Sequence, residues 1–92
     1  MYDKRIFEFD IKKSQLNKIK HGIDFNETQE IWDGPHVEFL AKDLEELRYA
    51  IIGTIKDRIY TCIFTMRGKK IRLISCRRSR SKERQLYEES IT

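Results

Sequence analysis

The sequence predicts an α+β domain, with helices packed on an antiparallel sheet in the order β-α-α-β-β-β-β-α. Three observations carry that expectation. Apolar residues follow a helical spacing before Gly34-Pro35 and an alternating one after it. The alternating runs are joined by short polar connections, as neighbouring antiparallel strands are. The chain has 92 residues, enough for one hydrophobic core and no second one, so residues 1–92 read as a single domain.

Ile6 to Phe9 reads as a short first strand. Asp10 then caps a helix, because its carboxylate can accept the free N–H groups of the first turn. Leu16 and Ile19, three apart, mark the face expected to be buried. His21-Gly22 ends the helix, with glycine free to adopt the left-handed terminal conformation. A second helix is expected at once. Asp24 and Glu27 form an acidic capping box, and Ile23 sits where a hydrophobic staple would. This helix carries Phe25, Ile31 and Trp32, and Gly34-Pro35 stops it.

Four strands follow. His36–Ala41 is the first, Lys42–Glu46 a polar turn, and Arg48–Ile55 the second strand. Lys56-Asp57-Arg58 makes a tight connection to a β-branched and aromatic strand over Ile59–Met66. Arg67-Gly68-Lys69 supplies the next turn. Lys70–Cys76 alternates, with Ile71, Leu73 and Ser75 expected on one face and Arg72, Ile74 and Cys76 on the other. Ser79 or Ser81 is placed to cap a final helix reaching about Ser90, with Leu86 and Tyr87 turned inward.

Composition excludes several classes. Charged residues make up 37% of the chain, yet ten aromatics and many β-branched residues supply material for a core, which argues against wholesale disorder. No apolar run approaches the roughly 20 residues of a membrane span. The first ten residues lack a signal-peptide core. Cys62 and Cys76 sit in apolar stretches without a CxxC or Cys/His cluster, which suits a reducing cytoplasm better than a zinc or disulfide scaffold. No metal and no cofactor are expected.

The net charge of +4 is unevenly placed. Residues 67–84 hold nine basic side chains and one acidic one, Glu83. Such a segment is the footprint of a phosphate-bearing partner. Glu83 and Tyr87 are four apart and share a helical face. If the sheet face carrying Arg72 meets that helix, guanidiniums, a carboxylate and a phenol converge. Arginine suits such a site because its planar fork binds phosphate oxygens in pairs and stays charged. Plainer readings stand beside this one. Arg80 and Lys82 fit a solvated helix start, Arg84 a bridge to Glu88, Tyr87 a core aromatic, and Arg72 a structural ion pair with Glu83. His21 suits the negative end of a helix dipole, His36 an exposed strand start, and Trp32 the core. Lys18 and Lys20 either extend the basic surface or solvate their helix.

Taken together, Phe7-Glu8-Phe9-Asp10, Lys20-His21-Gly22-Ile23 with Phe25, Arg67-Gly68, Ile71-Arg72-Leu73-Ile74-Ser75, Arg77-Arg78, Glu83-Arg84 and Leu86-Tyr87-Glu88-Glu89 resemble the BrnT-like toxins from about Phe7 to Glu89. The resemblance implies a RelE-like fold and a bacterial type II toxin that cleaves RNA and blocks translation. It implies Arg72, Arg77, Arg78, Glu83 and Tyr87 as the catalytic set. Arg67, Lys69, Lys70, Arg80, Arg84, Lys20 and His21 are the expected RNA contacts. The implied partner is a BrnA-like ribbon-helix-helix antitoxin in a hetero-oligomer, with 2:2 as one stoichiometry, and DNA is contacted only through it. The RNA is free or ribosome-associated, and no membrane is involved. The chain departs from the family pattern at Met66, where many members place a glutamate before Arg-Gly.

The mechanism expected is metal-independent. The substrate's 2′-hydroxyl attacks the adjacent phosphorus, with Glu83 as base and Tyr87 as acid, while Arg72 and Arg77 or Arg78 neutralise the phosphoryl oxygens. A second reading is a non-catalytic basic module that docks RNA, the ribosome or an acidic antitoxin. A direct DNA-binding repressor fits least, since the chain has no helix-turn-helix or ribbon-helix-helix pattern.

Overall fold

The computed structural model describes residues 5–41 and 46–92. Among these, five strands form one sheet: β1 (Ile6–Glu8), β2 (His36–Ala41), β3 (Arg48–Ile55), β4 (Arg58–Arg67) and β5 (Lys70–Arg78). Helices α1 (Ile11–His21) and α2 (Ser81–Ile91) and a 3₁₀ helix over Glu27–Asp33 complete the order expected from the sequence. The polar turn expected over Lys42–Glu46 falls mostly on residues 42–45, outside the described residues.

The strands lie side by side as β1-β5-β4-β3-β2. β2 to β5 form the expected antiparallel meander. β1 adds a parallel edge beside β5, so the sheet is mixed. The helices between β1 and β2 supply the length that a parallel arrangement needs. Lys56 and Asp57 both take positive φ, at 49° and 70°, and make the two-residue hairpin turn; Arg58 already belongs to β4.

One face of the sheet holds the main core. Ile51, Cys62, Phe64, Leu73 and Cys76 pack there against Phe25, Ile31 and Trp32. Trp32 meets Phe7 at 5.0 Å and Phe64 at 5.3 Å, both edge-on, which fixes it as core. Gly53 has a steric role here. A Cβ at that position would come within 2.9 Å of Ile31 Cγ2, so only glycine lets the 3₁₀ helix lie this close to β3. Cys62 and Cys76 pair directly across β4 and β5, both fully buried, and burial pushes the Cys62 thiol up.

Helix α1 reverses the expected orientation. Its caps form as predicted: Asp10 Oδ1 accepts from Lys13 N–H at 3.1 Å, and Gly22 takes φ 77°. Its buried side, however, is Ser14 and Asn17, whereas Leu16 and Ile19 are 62% and 82% exposed. The reason is hydrogen bonding. Asn17 Nδ2 donates to the carbonyls of Ile23 and Cys76, both at 2.8 Å, and its Oδ1 accepts from Cys76 N–H at 3.2 Å. Ser14 Oγ accepts from Phe25 N–H at 2.9 Å. These groups satisfy backbone positions of Cys76 on β5 and of Ile23 and Phe25 in the loop after α1.

The second helix is 3₁₀ rather than α. The Asp24–Glu27 box is present: Glu27 N–H donates to Asp24 Oδ1 at 2.8 Å and Asp24 N–H to Glu27 Oε1 at 3.1 Å. Only seven residues follow before Gly34, so the segment stays a short, tight helix. In α2, neither serine caps as expected. Glu83 Oε1 accepts from Arg80 N–H at 2.8 Å, Ser79 is buried, and Ser81 Oγ accepts from Arg84 Nη2. Tyr87 turns inward, but Leu86 is 40% exposed. α2 packs across β2 and β3 on the second face of the sheet.

Candidate active site

The site follows from one irregularity in β5. Ile63 pairs with Ser75 and Phe64 with Leu73, so Ile74 is an extra residue without a partner opposite it. A bulge of this kind shifts the alternation by one position. Before it, Ile71 and Leu73 enter the main core and Arg72 faces away; after it, Cys76 enters the core and Arg77 faces away. Arg72 and Arg77 therefore share the second face, although the four residues between them would put them on opposite faces of a regular strand. The expected placement of Cys76 beside Arg72 is overturned for the same reason.

Arg77 meets Glu83 at the start of α2. Nη1 donates to Oε1 and Nη2 to Oε2, each at 2.8 Å, in a two-pronged pair. Thr61 Oγ1 on β4 donates to the same Glu83 Oε1 at 3.1 Å and lies 2.8 Å from Ser79 Oγ. The Arg77 guanidinium, with help from Arg80 N–H and Thr61, lowers the Glu83 carboxyl to about 2. Glu83 in turn raises Arg77. The sheet edge adds a second pair. Arg72 Nη1 donates to Glu8 Oε2 at 3.2 Å, and Lys70 Nζ lies 4.0 Å from Glu8 Oε1. Arg72 thus pairs with Glu8 and not with Glu83. Both guanidiniums are about a quarter exposed and reachable from solvent.

The remaining predicted residues scatter in a describable way. Arg80 stands at the start of α2, and Arg84 Nη1 donates to Ser79 carbonyl at 3.0 Å instead of bridging Glu88. Tyr87 lies one turn beyond Glu83 on the same helical face, 5% exposed. Arg78 is on the opposite face of the sheet, with its guanidinium 5.9 Å from the Tyr60 ring centroid, and does not join Arg77. Lys20 and His21 lie exposed at the end of α1, which packs on the Arg78 side. Arg67, Lys69 and Lys70 sit at the β4–β5 hairpin, about 26 Å along β5 from Arg78 by strand rise. Three polar partners were not anticipated: Glu8, Thr61 and Ser79. Glu8 was legible as a charge between Phe7 and Phe9, since its neighbours face the core. Among the described residues, no three His, Cys, Asp or Glu side chains gather as a metal site would require.

The pair makes a pH prediction. Glu83 has a folded-state value of about 2 against an ordinary 4.5, so its stabilising contribution is complete above about pH 4.5 and is lost as pH falls towards 2. Urea midpoints measured from pH 6 to 2.5 should fall for the wild type, with a shallower slope in Glu83→Gln. Parallel slopes would refute the pairing.

A small α+β domain with arginines on one sheet face, in a segment rich in basic residues, has the side chains that phosphodiester-handling proteins use. Residues 9–83 match the family described as the ribonuclease toxin, BrnT, of type II toxin–antitoxin systems, and the chain belongs to that family. Its fold is similar to the crystal structure of the Brucella abortus ribonuclease toxin, BrnT, with a TM-score of 0.66 and 25% identity over 85% of this chain and 100% of the other. No curated protein matches the chain. No helix among the described residues is long and apolar enough to cross a membrane.

Proposed function

We propose that this chain is itself a metal-independent ribonuclease that arrests translation and is neutralised by a BrnA-like antitoxin covering its basic face. The observation that carries this reading is the Arg77–Glu83 pair, set beside Thr61 and sharing its sheet face with Arg72. A phosphodiester competes with Glu83 for Arg77. Once Arg77 turns to the phosphate, Glu83 loses the partner that depresses its proton affinity and becomes the stronger base. It takes the 2′-hydroxyl proton, O2′ attacks phosphorus, and the P–O5′ bond breaks. Tyr87 returns a proton to the leaving 5′-oxygen. Arg77 and Arg72 balance the charge on the phosphoryl oxygens.

The test is a labelled RNA incubated with the chain in EDTA. The expected products are a 2′,3′-cyclic phosphate and a 5′-hydroxyl end, and a DNA strand of the same sequence should survive. Equal cleavage of DNA would sink the mechanism, since DNA lacks the attacking hydroxyl. A second reading, binding without cleavage, is favoured by the full occupation of both Glu83 oxygens. Salt-sensitive RNA binding with no new chain ends, in free RNA and on ribosomes, would establish it.

A further inference from the structure

Helix α1 presents its aliphatic residues to solvent. Ile11, Leu16 and Ile19 are 69%, 62% and 82% exposed, while the polar Ser14 and Asn17 are buried beneath. At 100° per residue the outer surface reads as a stripe from Ile11 through Gln15 and Ile19 to Leu16. Lys18 borders one side of it, and Lys12, Lys20 and Lys13 lie within or along the other. α1 contains no acidic residue. Beside the stripe runs a groove of about 540 Å³, walled by Phe9 and by Ile11, Ser14, Gln15, Lys18 and Ile19 of α1, and reaching Asp24 and Asn26 on the other side. An aliphatic patch of this kind is a recognition surface when nothing in its own fold covers it.

We propose that this face of α1 and its groove are a docking site for the antitoxin, through an amphipathic segment whose aliphatic anchors are flanked by carboxylates. The proposal rests on the reading of the chain as the toxin of a toxin–antitoxin pair. Charge selects this occupant. Aliphatic anchors lie along Ile11, Ile19 and Leu16 while carboxylates meet Lys12 within the stripe and Lys20 and Lys13 along its far edge; the groove's own charges, Asp24 and a Lys18 held by Glu27 at 2.7 Å, balance each other. A second copy of the chain would bring lysine against lysine. Nucleic acid would meet the lysines, but the stripe offers its bases no exposed aromatic ring for stacking. The site lies on the opposite side of the sheet from Arg77 and Glu83, so it anchors one segment of the antitoxin while a different segment covers the basic face.

The experiment uses the full-length chain and, as probe, the protein encoded by the adjoining reading frame, co-expressed and purified with it. Ile11→Asp/Ile19→Asp should weaken the complex at least a hundredfold by calorimetry, while circular dichroism and RNA cleavage by the free variant stay at wild-type levels. Ile11→Leu/Ile19→Leu should bind as the wild type does. Lys12→Glu/Lys13→Glu should weaken binding about tenfold. An unchanged affinity in the aspartate variant would overturn the docking site while leaving the toxin reading intact. Failure of the wild type to bind the probe would overturn the docking site, while cleavage of RNA by the chain tests the toxin reading separately. The proposal also falls if the aspartate variant instead abolishes self-association, RNA binding, or binding to phosphatidylglycerol vesicles.

Discussion

Replacing Arg77 with alanine is expected to lower the rate of RNA cleavage by about 10²–10³-fold, the usual cost of removing one charge-stabilising donor from a polar site. Arg77 contributes both prongs to Glu83 and is the residue a phosphate would recruit. Arg77→Lys keeps the charge and loses the fork, so it should recover only part of the rate. The fold should survive, because Glu83 keeps Arg80 N–H and Thr61 as partners. Single-turnover cleavage with a thermal melt on each variant checks this. A folded Arg77→Ala protein with wild-type rate would remove Arg77 from the chemistry. A loss confined to RNA affinity would make it a gripping residue.

The second large effect concerns stability and inverts the usual rule for helices. Asn17→Ala should cost about 3–5 kcal/mol, because it strands buried peptide groups of Ile23 and Cys76 at about 1–3 kcal/mol each. Leu16→Ala should stay within about 0.5 kcal/mol, since that side chain is mostly in water. Urea denaturation of the two variants side by side checks the contrast. A Leu16→Ala protein less stable than Asn17→Ala would mean that α1 packs the other way round.

The element order, the Asp10 and Gly22 caps and the β3–β4 turn were legible in the sequence, because each is decided by a few adjacent residues. The orientation of α1 was not. Hydrophobic spacing says which residues lie together, and the partners that draw Asn17 inward are up to 59 positions away. Glu83 was legible as the lone acid in a basic run. Its union with Arg77 was not, since strict alternation would have put Arg77 behind the sheet and left Arg72 as the nearer candidate. Glu8 took Arg72 because β1 is parallel to β5 and in register with it, a pairing that no local pattern announces.

Ile74, with no partner opposite it, sets the phase of β5. Two arginines separated by four residues on one strand point in opposite directions unless something resets the phase between them. The spacing Arg72-x₄-Arg77 is therefore itself a record of the reset. A relative that keeps both arginines but loses or gains one residue between them would need a regular strand to keep both on one side. A relative that keeps the spacing inherits the irregularity with it. In this corner of the molecule the length of the interval, more than the identity of the residues inside it, is what keeps Arg72 and Arg77 on one face.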